Sequence, residues 1–219
     1  MNQKLCRISM AVAAIATAGF SLNGLAQSAP DKKMNFFVTS TGSGKGADLG
    51  GIKGADTLCQ NLAKAAGAGN KQWRAYLSAT AQGNAKAVNA RDRIGKGPYY
   101  NAKGEMVAKT IDDLHSDQNK LTQKTILTEK GGMVNGRADK PNMHDILTGS
   151  DSQGMAVSVK EDTTCGNWTK SGAEGSAIVG HHDREGLSPH LAAKSWNFSH
   201  GSRGCSQQAL QSSGGDGRV

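Results

Sequence analysis

Aromatic residues and proline are scarce in this sequence: aromatics make up 5% of its 219 residues, and there are 4 prolines. No run approaches the roughly 18 apolar residues that a membrane-spanning helix needs. Hydrophobic residues at 37% and charged residues at 20% also argue against disorder driven by high charge. Glycine, in contrast, occurs 29 times. This composition predicts one globular domain with many turns and few long helices.

Common catalytic signatures are also missing from the sequence. It contains no Gly-x-Ser-x-Gly, no His-Glu-x-x-His and no phosphate-binding loop. The paired carboxylates Asp112 and Asp113 are predicted to lie in a loop, without an apolar setting that would shift their pKa values. Cys-x-x-Cys spacing is absent, which excludes thioredoxin-like and zinc-ribbon sites. The sequence therefore predicts a protein that is not an enzyme.

The first 26 residues are typical of a secretory signal peptide. Two basic residues precede the apolar segment Ile8–Phe20, and small residues favour cleavage after Ala26. Removal of this segment takes the formal charge from +8 to +6, and the remaining basic residues are scattered. Export and scattered charge argue against a nucleic-acid partner. We expect a periplasmic or extracellular protein with a polar lead-in at 27–33 and one domain at 34–219.

Hydrophobic periodicity predicts only a few regular elements. Asn35–Ser40 and Ser176–Gly180 are rich in strand formers, and Trp73–Ser78 alternates apolar and polar residues as a half-buried strand does. Apolar residues recur at helical spacing in Gly54–Ala66. The segment Ala79–Thr164 is polar and punctuated by glycine, which is typical of long functional loops. The predicted class is α+β, with one main helix packed on short antiparallel strands and a long irregular loop region.

Several motifs resemble a known family in their order and spacing. Leu49–Gln60 contains a glycine pair, Gly-Ala-Asp and a helix cysteine, and the Arg-Ala-Tyr-Leu-Ser strand follows at Trp73–Ser78. Later come a Gly-Ser-Asp turn in Leu147–Gly154 and the Cys-Gly-Asn-Trp of Cys165–Trp168. Over about Asn35–Cys205 the chain is similar to endostatin and to secreted bacterial proteins usually labelled lectins. The resemblance implies the endostatin-like branch of the C-type lectin-like fold.

The resemblance also implies a disulfide pattern. Cys165 and Cys205 would form the inner pair, and Cys59 on the first helix would bond to a cysteine on a terminal strand. The sequence reaches Val219 without such a cysteine, and the polar segment Gln211–Gly217 is predicted to be a turn. We therefore expect Cys59 to be unpaired here and the domain to lack its last strand.

Calcium-dependent sugar binding is common in this fold, but the calcium-binding motifs of this sequence depart from the usual pattern. Lys140–Asn142 keeps the Pro-Asn of the calcium motif and replaces its acid with lysine, and Trp196–Phe198 has phenylalanine in place of an acid. Because calcium needs six to eight oxygen ligands, both losses argue against the usual site. A different set of oxygen ligands for calcium is offered by Asp139, Asn142 and Asp145. The alternative is that these three are turn residues that cap loops.

Zinc is a second candidate metal, because all six histidines follow Lys109. His181, His182 and Asp183 offer two imidazoles and a carboxylate. Adjacent side chains on a strand point to opposite faces, however, so both histidines would not reach one ion without help from elsewhere. Calcium and zinc thus remain possible cofactors, and neither is required by the sequence.

A candidate recognition face combines the loop region with the segment before the last cysteine. The expected ligand-binding residues are Asn142, His144, Asp145, Trp196, Asn197 and Arg93. Trp196 is expected to stack on a sugar ring, with amides and the carboxylate reading hydroxyl groups. Arg93 lies in a segment that either grips an acidic glycan through its arginines or forms an internal Arg–Asp clamp.

Taken together, these features favour an exported, non-catalytic carbohydrate-binding module. Its expected partners are glycans or glycoproteins, including acidic polysaccharides. The alternative is a surface or secreted adhesin that binds host or matrix proteins, since a net positive charge favours acidic partners.

Overall fold

The computed structural model describes residues 29–157, 159, 161–190 and 192–219. The expected signal peptide, residues 1–26, lies outside the described residues. The rest is a small mixed α/β domain with short antiparallel sheets. Within these ranges, no helix has the length and apolar character needed to cross a membrane.

Short elements dominate the domain. The helices are Gly51–Ala65 (α1), Ala90–Arg93 (α2), Ile111–Leu114 (α3), Cys165–Trp168 (α4) and Gln207–Ser213 (α5), with a 3-10 turn at Ala192–Lys194. The strands are Tyr99–Tyr100 (β1), Met106–Ala108 (β2), Asp145–Leu147 (β3), Ile178–His181 (β4) and His200–Gly201 (β5). Strands β1 and β2 pair with each other, and β3, β4 and β5 form a second antiparallel sheet in that order.

Helix α1 is the main helix that the periodicity of Gly54–Ala66 predicts. It begins earlier, at Gly51, because Gly50 and Gly51 adopt left-handed backbone angles with φ of 74° and 72° that favour glycine. Its buried face is formed by Ala55, Cys59 and Ala63. The leucines of the expected apolar stripe are only half-buried. Small side chains on the buried face allow the helix to pack close to the core.

Trp73–Ser78 has the predicted alternation of burial, but the prediction of a strand is wrong, because these residues form no strand of either sheet. Two of its backbone amides bond to α1 side chains: Trp73 N–H donates to Gln60 at 3.1 Å, and Ala75 N–H to Asp56 at 2.9 Å. The Ser78 N–H donates to Thr148 O at 2.9 Å, just after β3. The segment is therefore extended and anchored on the helix, which the alternation alone could not distinguish from a sheet strand.

The predicted turn at Gln211–Gly217 is also wrong. Helix α5 occupies its first residues, and the backbone after it lies along β3. Asp145 N–H donates to Gly214 O at 3.0 Å, and Leu147 N–H to Arg218 O at 2.8 Å. This segment therefore supports the strand that begins at Asp145.

The cysteine pattern is confirmed. Cys165 and Cys205 form a disulfide across a sequence separation of 40 residues, and Cys59 is free and buried. All three lie in one core cluster with Trp168. Closing a loop of this length stabilises a fold by roughly 4 kcal/mol in the chain-entropy description.

We expect the Cys59 thiol to be unreactive in the folded protein. Burial, followed by the charges of Asp56 and Glu129, raises its pKa to about 12, so almost no thiolate forms at neutral pH. In a Cys6→Ser background, a thiol reagent such as Ellman's reagent should label no cysteine in buffer and one after denaturation without reductant. A Cys59→Ser control should remove that label, and labelling of the native protein would contradict the prediction.

Candidate metal centre

Strand register brings three chemically active side chains to one face of the second sheet. Asp145 pairs directly with His181 across β3 and β4. His200 pairs with Val179, which lies two residues before His181 on β4. Because side chains alternate faces along a strand, Asp145, His181 and His200 share one face.

The Asp145 carboxylate is the point on which three imidazoles converge. Its Oδ1 lies 3.2 Å from Nε2 of His144, 3.4 Å from Nε2 of His181 and 3.6 Å from Nε2 of His200. His144 enters from the residue just before β3, and its ring stacks on His181 with centroids 4.0 Å apart. Three Nε2 atoms thus lie within 3.6 Å of one carboxylate oxygen.

Each of these imidazoles is held by its other nitrogen. His144 Nδ1 lies 3.2 Å from Asp183 Oδ1. His181 Nδ1 lies 2.8 Å from Ala193 O, and His200 Nδ1 lies 3.1 Å from Gly201 O. An N–H at Nδ1 satisfies these acceptors, and the neutral form of each ring then presents the lone pair of Nε2. The same support by carboxylate or carbonyl groups orients histidines that bind metals in proteins.

Several polar atoms of the centre have no hydrogen-bond partner among the described protein groups. Both carboxylate oxygens of Asp145 and Nε2 of His181 are buried without a hydrogen-bond partner among the described residues. When the three rings are neutral, their Nε2 lone pairs face a carboxylate that accepts no hydrogen bond among the described residues. An unpaired buried charge is costly, and a cation beside this carboxylate would offset that cost.

Ligand type and spacing favour zinc at this point. Zinc forms bonds of roughly 2.0–2.1 Å to nitrogen and oxygen, so the ligand atoms of a zinc tetrahedron lie about 3.3–3.4 Å apart. The separations of 3.2 and 3.4 Å from Asp145 Oδ1 to His144 and His181 are close to that edge length. Calcium instead requires six or more oxygen ligands. His144, Asp145 and His181 form a compact potential metal-binding group, and His200 lies beside it, 3.6 Å from Asp145 Oδ1.

The two aspartates of the centre differ in their electrostatics. Burial raises the pKa of Asp145 to about 6, although the charges of His200 and His144 lower it. Burial also raises the pKa of Asp183, but hydrogen bonds from His144 and from the amides of Arg137 and Glu185 outweigh it and lower this pKa to about 2. Asp183 is thus a stably ionised support, whereas Asp145 needs a positive partner to stay charged.

His181, His182 and Asp183, the zinc candidates of the sequence, take three different positions. His181 belongs to the centre, and burial, followed by the charge of His144, lowers its pKa to about 4. His182 points away, with Nε2 3.1 Å from Asn135 O. Asp183 supports His144 through Nδ1. The two adjacent histidines therefore point to different places, His181 at the end of β4 and His182 in the turn that follows it.

Three of the expected ligand-binding residues lie at the centre. His144 and Asp145 contribute an imidazole and the carboxylate. The Oδ1 of Asn142 accepts the His144 N–H at 3.1 Å, so this side chain positions the backbone at the start of β3. Asp139, proposed with them as an oxygen ligand, uses Oδ2 to accept from the Gly136 N–H at 2.8 Å and caps a loop.

The other three expected ligand-binding residues lie elsewhere and serve internal roles. Trp196 is 3% exposed, and its indole N–H donates to Leu114 O at 2.7 Å, so its ring offers no open stacking plane. The Asn197 amide donates to Asp151 O at 2.9 Å. Arg93 pairs with Asp56 at 2.5 Å. Trp196 and Arg93 both line a different cavity of about 550 Å³.

Sequence reasoning missed His200 as part of the centre. No motif singles it out, because its position follows from pairing of β5 with β4. Two His-Asp dipeptides, at His144-Asp145 and His182-Asp183, were the available signal. They contribute both aspartates of the centre.

Comparison with known proteins gives no family for this chain. No protein-family model matches it, and a search of the curated proteins finds no significant match. The role of the metal centre must therefore be inferred from its own residues.

Asp145→Asn should stabilise the metal-free protein and destroy its response to zinc. At pH 8 with chelator, an asparagine amide can donate to an imidazole Nε2, where the carboxylate cannot, so the free energy of unfolding should rise by about 1–3 kcal/mol. Denaturant unfolding with chelator and with excess zinc measures both effects.

Asp183→Asn is the matched control for this substitution. Its carboxylate accepts from Arg137 N–H at 2.7 Å and Glu185 N–H at 3.1 Å, so the same change should destabilise the metal-free protein. Equal destabilisation by both substitutions would show that Asp145 is a structural acid and not a metal ligand.

Proposed function

We propose that this chain is an exported, zinc-dependent, non-catalytic carbohydrate-binding module. One observation carries the proposal: the Nε2 atoms of three histidines lie 3.2–3.6 Å from one buried, unpartnered carboxylate oxygen. Imidazoles whose Nδ1 atoms are already engaged have only a proton or a metal left to bind at Nε2.

A structural metal role fits the position of the ligands. His144, Asp145 and His181 supply three protein ligands, and His200 lies at the open side of this group, with Nε2 3.6 Å from Asp145 Oδ1. The ion would tie the residue before β3 and strands β3 and β4 to one point. Those strands also hold the walls of a cavity of about 720 Å³ lined by polar side chains such as Asn142, Ser188 and Ser199.

The endostatin-like, C-type lectin-like fold is part of the same proposal. The disulfide between Cys165 and Cys205 supports it, because the resemblance implies that pair. A disulfide together with the absence of a membrane-spanning helix in the described part of the chain is compatible with export.

An adhesin that binds acidic host or matrix molecules is the alternative. The formal charge of +6 that remains after the expected signal peptide is removed supports it. Binding through such charges falls steeply with salt, whereas recognition of sugar hydroxyl groups depends on salt only weakly.

Zinc binding provides the direct test of the centre. Isothermal titration calorimetry and metal analysis should find one zinc ion per chain and no calcium binding. His181→Ala should lower the affinity for zinc at least about 100-fold, since even supporting residues of metal sites contribute roughly 10- to 100-fold.

His190→Ala is the matched control for the zinc titration. This exposed histidine lines the cavity, but the described contacts do not place its ring at the Asp145 carboxylate. It should bind zinc like the wild type. Failure of the wild type to bind zinc, or equal effects of both substitutions, would refute the proposal.

Glycan binding should depend on the metal. On a glycan array, the zinc-loaded chain should bind a defined set of sugars, chelator should abolish that binding, and added zinc should restore it. Binding that persists in chelator and falls steeply with salt would instead favour the adhesin.

A further inference from the structure

Only one side of the metal centre is open to solvent. The side chains of His144, Asp145 and His181 are 6%, 2% and 5% exposed, whereas that of His200 is 42% exposed. The cavity of about 720 Å³ lies on this side, since His200, His181 and His144 form part of its wall. A ligand could therefore reach the ion from one direction.

The cavity wall carries positive and neutral polar groups. It includes one arginine, four histidines, three serines and one asparagine, and no described lining residue is an aspartate or glutamate. The Asp145 carboxylate lies beneath the imidazoles, where its exposure is too small to face the cavity. An anion entering the cavity would thus meet no repelling carboxylate on the wall.

Arg137 links the cavity wall to the support of the centre. Its backbone N–H donates to Asp183 Oδ2 at 2.7 Å, and Asp183 Oδ1 holds His144. The guanidinium is exposed and forms no ion pair within the described ranges. Arg137 therefore has a fixed backbone position and a free charge on the same cavity.

We propose that this cavity binds the carboxylate of a sugar acid, with the metal and Arg137 as its two anchors. The inference rests on the proposed function, because a zinc ion is one of the anchors. Zinc accepts carboxylate oxygen, and the three protein ligands His144, Asp145 and His181 leave a fourth position that such an oxygen can take from the cavity. Guanidinium forms two parallel hydrogen bonds with a carboxylate.

The rest of the cavity suits the sugar ring. Asn142, Ser188 and Ser199 offer amide and hydroxyl groups that can bind ring hydroxyls. A volume of about 720 Å³ lies within the range of roughly 300–1,000 Å³ that is usual for small-molecule sites. A free small acid shares the carboxylate but would leave these polar groups unused.

Cobalt in place of zinc gives a direct readout of ligand binding. The visible absorption of bound cobalt changes when a carboxylate joins its ligands, so the cobalt-loaded chain can be titrated with glucuronate, acetate and glucose. We expect glucuronate to change the spectrum at the lowest concentration and glucose, which has the same ring without the carboxylate, to leave it unchanged. An equal response to acetate and glucuronate would support carboxylate binding but refute a role of the sugar ring.

Substitution of Arg137 separates the two anchors. Arg137→Gln should weaken glucuronate binding about 10- to 100-fold, the usual loss for a hydrogen bond to a charged group, and should leave cobalt affinity unchanged. Arg74→Gln, another exposed arginine that does not line this cavity, is the control and should change neither.

Two failures can be told apart. A normal tetrahedral cobalt spectrum that glucuronate does not alter would overturn the carboxylate site and leave the metal centre intact. Failure to bind cobalt or zinc would overturn the metal centre and this inference with it.

Discussion

A buried carboxylate at the start of β3 is the constraint on which the second sheet depends. Asp145 cannot turn away from the three imidazoles, because its backbone is held on both sides. It pairs with His181 on β4, and its N–H donates to Gly214 O at 3.0 Å on the other side. The side chain is therefore fixed in a place where no described group donates a hydrogen bond to it. Such an arrangement is costly unless a cation completes it.

The surrounding structure holds this site rigid from several directions. Strand β5 carries His200 at its first residue, and the disulfide partner Cys205 follows shortly afterwards, so a covalent constraint fixes one end of a short segment whose other end lies beside the potential metal-binding group. Asp183 draws the loop at Arg137 towards His144. Because short strands contribute little cohesion of their own, these cross-links position the site more than strand length does.

Much of the coarse architecture could be predicted from the sequence. Helical spacing located α1 near its observed bounds, glycine and polar composition indicated the irregular middle, and β4 lies where apolar residues follow Ser176. The disulfide followed from the resemblance. The absence of a strand at Trp73–Ser78 could not be predicted, because alternation indicates which residues are buried and not which group each backbone amide bonds to. The Trp73 and Ala75 amides bond to the side chains of Gln60 and Asp56.

The sequence by itself determined which groups are available: six histidines, two His-Asp dipeptides, three cysteines after the expected signal peptide and few aromatics. Tertiary structure alone decided which of them meet. His200 joins Asp145 and His181 through strand register, Trp196 enters the core, and His182 points away from the centre. The physical reason is that local periodicity fixes the side of a strand on which a residue lies. Which distant strand lies beside it depends on long-range pairing, and a single sequence does not encode that pairing in any local pattern.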